Sequence, residues 1–236
     1  MAYSTTSVPT PDGDMPAHLW LPEQGTGPGI VLFQEIFGIS DYVRRRAQDL
    51  ADLGYVVLAP EIYWRSGDVG PFGWDPIEQA IGKVAELDWA GAVNDGAAAV
   101  EHLRGCKEVT GGTGIVGFCF GGGLGFNVAA QLEADGQGAD ALVAFYGSAL
   151  RDLIDHLTVT APSLHHFGLS DQYIDATEVR RLESVLTEQS ATTFHTYEGA
   201  DHAFDNPDGP LHHPEASALA WQRTVDWLAE HLPLGN

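Results

Sequence analysis

The nine residues Gly114-Ile115-Val116-Gly117-Phe118-Cys119-Phe120-Gly121-Gly122 constrain this chain more than any other stretch. An apolar run of strand length enters the pattern G-x-C-x-G-G and continues into a segment of helical period. A turn that thrusts one side chain out above a sheet must be sharp, so the residues two places to either side must be small. Gly117 and Gly121 fill those places. Cys119 then sits at a helix amino terminus, where unpaired N–H groups and the helix dipole favour negative charge. The backbone N–H of Phe120 points where an oxyanion would form. A buried cysteine beside packing glycines is the bland alternative. Strand, glycine spacing and following helix agree on the nucleophile instead. Cys106, after Gly105 in a predicted loop, has no such surroundings.

The rest of the chain alternates strand-length apolar runs with longer segments of helical period, the signature of a mostly parallel sheet flanked by helices. Tyr3–Val8 and Ala17–Leu21 read as an opening hairpin around Pro11-Asp12-Gly13-Asp14, placed at a sheet edge. Further strands are expected at Gly29–Phe33, Tyr55–Pro60, Gly114–Phe118, Ala141–Tyr146, Leu164–Phe167 and Thr192–Tyr197. Ser40 can cap a helix running through Leu50 that Gly54 ends. Other helices are expected near Asp88–Leu103, Gly122–Leu132, Thr177–Glu188 and Ala216–His231. Ile62–Leu87 fits this alternation poorly. Its Gly67, Gly70, Pro71, Gly73 and Pro76 among Tyr63, Trp64, Phe72 and Trp74 read as a long aromatic loop, either a pocket wall or a segment packed onto the body.

A thiol nucleophile needs a base, and the base needs an orienting acceptor. Leu164–Phe167 leads into Gly168-Leu169-Ser170-Asp171, and Thr192–Tyr197 leads into Glu198-Gly199-Ala200-Asp201-His202. Parallel strands present their carboxyl ends on one edge, so Asp171 and His202 can meet Cys119 there. Asp175 is a competing acid, and His165, His166 and His195 are competing bases that fall within predicted strands. The adjacent pairs His165-His166 and His212-His213 do not fit a metal motif, because neighbours on a strand point to opposite faces. No metal and no cofactor is expected.

Composition narrows the partners. Acidic side chains number 33 against 11 basic ones, for a net charge of -22. A field of that sign repels phosphate backbones and anionic lipid, which excludes nucleic-acid and membrane partners unless a basic patch exists. The only basic run, Arg44-Arg45-Arg46, falls in a predicted helix and reads as a solvated, ion-paired face. No segment approaches the roughly 18 to 20 apolar residues of a membrane span, and MAYSTTSVPTPDGD lacks the pattern of a secretory signal. Two cysteines without a CxxC spacing imply reduced thiols. The expectation is one cytoplasmic domain over residues 1–236, monomeric or a small homo-oligomer.

With these residues assembled, the chain resembles the dienelactone hydrolase family, a branch of the α/β-hydrolases that uses cysteine in place of serine. The markers are Gln34-Glu35-Ile36-Phe37-Gly38, Gly117-Phe118-Cys119-Phe120-Gly121-Gly122, Phe145-Tyr146-Gly147, Gly168-Leu169-Ser170-Asp171 and Asp201-His202-Ala203-Phe204. The resemblance implies an α/β-hydrolase fold and hydrolysis of a small ester or lactone through Cys119, His202 and Asp171, with a thioester intermediate. It implies that Glu35 contacts the thiol and takes its proton, and that the N–H of Ile36 joins that of Phe120 in an oxyanion hole. A capping or ion-paired glutamate is the plainer alternative for Glu35. Members of the family carry an arginine shortly after the histidine to grip a substrate carboxylate, and Asn206 stands there instead. Arg65 or Lys83 could supply the charge, and Phe37, Tyr63, Trp64, Trp74 and Tyr146 are candidates for the pocket wall. Two other readings stay open: a ligand-binding or redox-sensing protein with an exposed thiolate, and a scaffold whose acidic surface meets basic partners.

Overall fold

A computed structural model describes residues 2–235. The chain opens with β1 (Ala2–Thr10) and β2 (Gly13–Leu21), paired in register from Ala2 opposite Leu21 to Thr10 opposite Gly13. Pro11 and Asp12 make the tight turn, and Gly13 takes φ +139°, which a glycine accommodates without strain.

The alternating pattern then yields β3 (Gly27–Phe33), α1 (Asp41–Asp52), β4 (Val56–Pro60), α2 (Glu78–Glu86), α3 (Trp89–Arg104), β5 (Val109–Phe118), α4 (Phe120–Ala134), β6 (Ala141–Phe145), α5 (Leu150–Leu153), β7 (Ser163–Gly168), α6 (Ala176–Leu186), β8 (Thr192–Tyr197) and α7 (Pro214–His231). They build one eight-stranded sheet in the order β1-β2-β4-β3-β5-β6-β7-β8. β1 and β2 are antiparallel to each other, β2 is antiparallel to β4, and every pair from β4 to β8 is parallel. The hairpin therefore forms one edge. β3, β4, β6 and β7 are buried at every residue, as strands covered by helices on both faces must be. The arrangement is that of an α/β-hydrolase.

Three features depart from the sequence expectation, the first being the short helix α5, which has no counterpart there. The stretch Ile62–Leu87 is not loop throughout, because its second half folds as α2. Ile77, Ala80, Ile81, Val84 and Leu87 do recur at helical spacing, but the glycines and prolines around them hide the pattern, and of α2 only Ala80 is buried. The three arginines of α1 also divide. Arg45 meets Asp208 at the surface, 2.5 Å away, whereas Arg46 turns inward to the wholly buried Asp205 at 2.6 Å. Ser40 caps α1 as expected, accepting from the Val43 N–H at 3.4 Å.

Candidate active site

Cys119 lies between the last residue of β5 and the first of α4, with φ +54° and ψ -117°. A non-glycine residue in that region costs about 1–3 kcal/mol and persists only where its surroundings hold it. Three features hold it here. Its N–H donates to the Phe145 carbonyl at 2.9 Å, and its own carbonyl accepts from Gly122 and Ser148 at 3.0 and 3.2 Å. A Cβ on Gly117 would stand 2.1 Å from the Gly121 carbonyl oxygen, and one on Gly121 would stand 2.4 Å from those of Phe33 and Gln34. Only glycine lets α4 start this close to the ends of β3 and β5. Neither the Phe120 nor the Ile36 N–H has a hydrogen-bond acceptor among the described residues.

β7 and β8 end in loops that are laced together. Leu169 N–H donates to the Tyr197 carbonyl and Ser170 N–H to the Ala200 carbonyl, each at 2.9 Å. A Cβ on Gly168 would meet the Ala200 oxygen at 2.2 Å, so this approach also requires glycine. Asp171 and His202 are thereby brought together. Asp171 Oδ2 lies 2.7 Å from His202 Nδ1, while its Oδ1 accepts from the N–H groups of Tyr173 and Ile174 at 2.7 and 2.9 Å. With Nδ1 facing a carboxylate, Nε2 is left for the sulfur, and Cys119 Sγ is 3.0 Å from it. Burial alone would push the His202 imidazolium down; the Cys119 sulfur and Asp171 outweigh it and hold the group well above its ordinary value.

Glu35 follows β3 and is 1% exposed. Burial raises its pKa from 4.5 to about 7, against the pull of Asn206, His202 and Tyr146. Asn206 Nδ2 donates to Oε2 at 2.7 Å and the Tyr146 hydroxyl to Oε1 at 3.3 Å. Glu35, Cys119 and His202 share a cavity of about 270 Å3 with Ile36, Phe37, Trp74, Ile77, Ile81, Ile174, Leu211, Tyr173, Ser148, Arg151 and Ala203.

Of the residues expected at the pocket wall, Phe37 and Trp74 line this cavity, their rings 4.5 Å apart. The others lie elsewhere for identifiable reasons. Tyr63 is buried and donates to the Ile36 carbonyl at 3.1 Å. Trp64 Nε1 donates to Asp95 at 2.9 Å, and Arg65 is taken up by Asp95 and by Asp12, the latter at 2.6 Å. Lys83 lines a separate cleft with Arg65 and Asp95. Tyr146 and Asn206 serve Glu35 and do not reach the cavity wall. Sequence reasoning missed Arg151, the one Lys or Arg among the described residues that line the cavity, because α5 is four residues long and carries no period to read. It also missed Tyr173 and Ile174, although they lie only two and three residues after Asp171. Among the described residues no group of three or more His, Cys, Asp or Glu side chains could hold a metal ion, and no helix is long and apolar enough to cross a membrane.

A mostly parallel sheet whose strand-to-helix turn presents a thiol to a histidine and an aspartate from later loops defines the α/β-hydrolase fold, with a cysteine at that turn. Comparison with known proteins narrows the class. The model of the dienelactone hydrolase family matches residues 15–232, and this chain belongs to that family and is a hydrolase. A carboxymethylenebutenolidase of a Pseudomonas species is 31% identical over 95% of this chain and 93% of its own length. The solved structure of a candidate dienelactone hydrolase from Klebsiella pneumoniae superposes with a TM-score of 0.83 at 28% identity, covering 97% of this chain and 98% of that one. A dienelactone hydrolase-like promiscuous phosphotriesterase from metagenomic libraries superposes with a TM-score of 0.75 at 25% identity over the whole of both chains.

Proposed function

We propose that this chain hydrolyses small carboxylic esters or lactones through Cys119, with His202 and Glu35 as proton carriers and Asp171 orienting His202. The observation that carries the reading is the unbroken line from Asp171 Oδ2 to His202 Nδ1 at 2.7 Å and from His202 Nε2 to Cys119 Sγ at 3.0 Å, at the wall of a cavity of substrate size. In acylation the Cys119 thiol gives its proton to the Glu35 carboxylate and the sulfur attacks the carbonyl carbon. The N–H groups of Phe120 and Ile36 receive the oxyanion. The carbon–oxygen bond breaks as the leaving alkoxide takes the proton from Glu35, and a thioester remains. In deacylation His202 takes a proton from water, the hydroxide attacks the thioester, and the carbon–sulfur bond breaks as the sulfur recovers that proton. Negative charge on the sulfur raises the proton affinity of His202. A thioester carries no such charge, so acylation frees His202 to act as a base at the step that needs one.

The cavity wall speaks to substrate class. Phe37, Trp74, Ile77, Ile81, Ile174 and Leu211 favour an apolar or aromatic-derived body. Asn206 is committed to Glu35, so it is not free to grip a substrate carboxylate; Arg151 is the cation available for one. Curated relatives bear the name carboxymethylenebutenolidase, which supports a lactone as one substrate. The test is hydrolysis of p-nitrophenyl acetate and of a butenolide by the native chain and by Cys119→Ala. We expect the substitution to reduce turnover by at least about a thousandfold, and His202→Gln to accumulate an acyl adduct on Cys119 visible by intact mass. Hydrolysis by Cys119→Ala at the native rate would remove the proposal.

A further inference from the structure

Behind Glu35, away from the substrate cavity, a run of buried polar side chains leads to the surface of α1. The Tyr146 hydroxyl is 3.3 Å from Glu35 Oε1 and 3.3 Å from the Tyr42 hydroxyl. Tyr42 donates to Asp205 Oδ2 at 2.5 Å. Arg46 Nε and Nη2 close the run on the two oxygens of Asp205, at 2.8 and 2.6 Å, and Ser217 donates to the same carboxylate at 2.8 Å. Tyr42, Tyr146 and Asp205 are fully buried, and Tyr146 is held at φ +38°.

Each phenol has one proton, which makes the run an exercise in counting. The proton of Tyr42 is spent on Asp205, the shortest contact of the series. When Glu35 is a carboxylate, the proton of Tyr146 belongs to Glu35, and the two phenol oxygens then face each other with no proton between them. When Glu35 is protonated on Oε1, it donates to the Tyr146 oxygen, and Tyr146 turns its proton to Tyr42. Every oxygen from Glu35 to Asp205 is then joined in one direction, and the series ends on a carboxylate that Arg46 neutralises. No proton leaves Glu35 along this path; only the Tyr146 hydroxyl rotates, and Tyr42 donates to Asp205 in both states.

We propose that Tyr146, Tyr42, Asp205 and Arg46 form a positioning array in which the Tyr146 hydroxyl proton turns from Glu35 to Tyr42 when Glu35 gains the thiol proton, while Tyr42 keeps its own proton on Asp205, so that both the neutral carboxyl and the carboxylate are held by a hydrogen bond. The inference rests on the reading of Glu35 as acceptor of that proton. Asp205 needs neither phenol to be satisfied, since Arg46 and Ser217 already supply three donors. The contact between the two phenols acquires a proton only in the protonated state of Glu35. The groups that face Glu35 are His202 and Cys119 across the cavity, Asn206 and Tyr146 in direct contact, and Tyr42 and Asp205 behind them. Burial leaves Glu35 titrating at about 7, where both states of the array are populated at neutral pH.

Two single-atom deletions should move this titration in opposite directions. Tyr42→Phe removes the acceptor that Tyr146 uses only when Glu35 is neutral, so the titration midpoint should fall by about 0.5–1 pH unit. Tyr146→Phe removes a donor to the charged carboxylate, the stronger of the bonds at stake, so the midpoint should rise. The measurement is the 13C NMR titration of the Glu35 carboxyl carbon, identified by its loss in Glu35→Gln, with thermal melts to confirm folding. A Tyr42→Phe midpoint that stays put or rises overturns the array, and this holds even if Tyr146→Phe does not fold. The pH profile of kcat/KM for p-nitrophenyl acetate tests the underlying reading separately. If the NMR midpoints shift as stated while the profile does not follow them, the array stands and the role of Glu35 in acylation falls.

Discussion

Glu35 illustrates how a single side chain trades stability for chemistry. Its folded pKa, about 7, lies above the 4.5 of an unhindered glutamate, so between those values the folded chain binds the proton that the unfolded chain has released. The stability this group allows is complete below pH 4.5 and is lost as the pH rises through 7. A displacement of that size withholds on the order of 3 kcal/mol above pH 8. Glu35→Gln should therefore be the more stable chain at pH 8 by up to about 3 kcal/mol, with the gap closing toward pH 4. Urea unfolding at the two pH values measures this, and equal gaps at both would count against a buried, neutral carboxyl. The residues in this neighbourhood were unequally legible. Cys119, Asp171 and His202 could be brought to one sheet edge from their order and from the strands before them. The partners of Glu35 could not, because Tyr146 and Asn206 reach it from remote parts of the chain and their side-chain directions follow from packing alone.

At the scale of elements, the turn between β5 and α4 is fixed by close backbone approach. A methyl group at position 121 meets two carbonyl oxygens that belong to β3 and its exit, not the yielding tip of a side chain. Gly121→Ala should cost about 3 kcal/mol or more, and should lower hydrolysis even where the chain still folds, since the strain displaces Cys119. Gly82 provides the contrast. It lies within α2, and a methyl group added there would have nothing inside 4 Å. Gly82→Ala should raise stability by up to about 1 kcal/mol. Chemical denaturation of the two variants checks both signs, and a neutral Gly121→Ala would sink the packing argument. The same contrast explains what could be read beforehand. β5 and its turn announce themselves because glycine spacing and strand length reinforce one another. α2 is obscured, since its apolar period from Ile77 to Leu87 follows Pro76 in a stretch punctuated by glycine and is interrupted by Gly82.

For the molecule as a whole, the net charge of -22 is a self-repulsion that the fold must overcome. Screening shortens its reach to about 10 Å at 0.1 M salt. Raising sodium chloride from 20 mM to 0.5 M should stabilise the chain by about 1 kcal/mol, or roughly 2–4 °C in Tm for a domain of this size. A Tm that is flat or falls with salt would mean that surface ion pairs, such as Arg45 with Asp208, outweigh the repulsion. The parallel topology was legible from the alternation of segments, whereas the order in which β3 comes to lie between β4 and β5 was not, because register and neighbour are settled by the packed sheet. That order also has a consequence in time. The thiol stands after β5, yet the carboxylate and imidazole that face it come from the ends of β7 and β8, the last two strands to be made. A ribosome that has made the chain only as far as α4 has produced Cys119 and Glu35 without the Asp171 and His202 that face the sulfur in the folded chain. On the proposed mechanism, the order of the strands thus delays a complete turnover until His202 has been made.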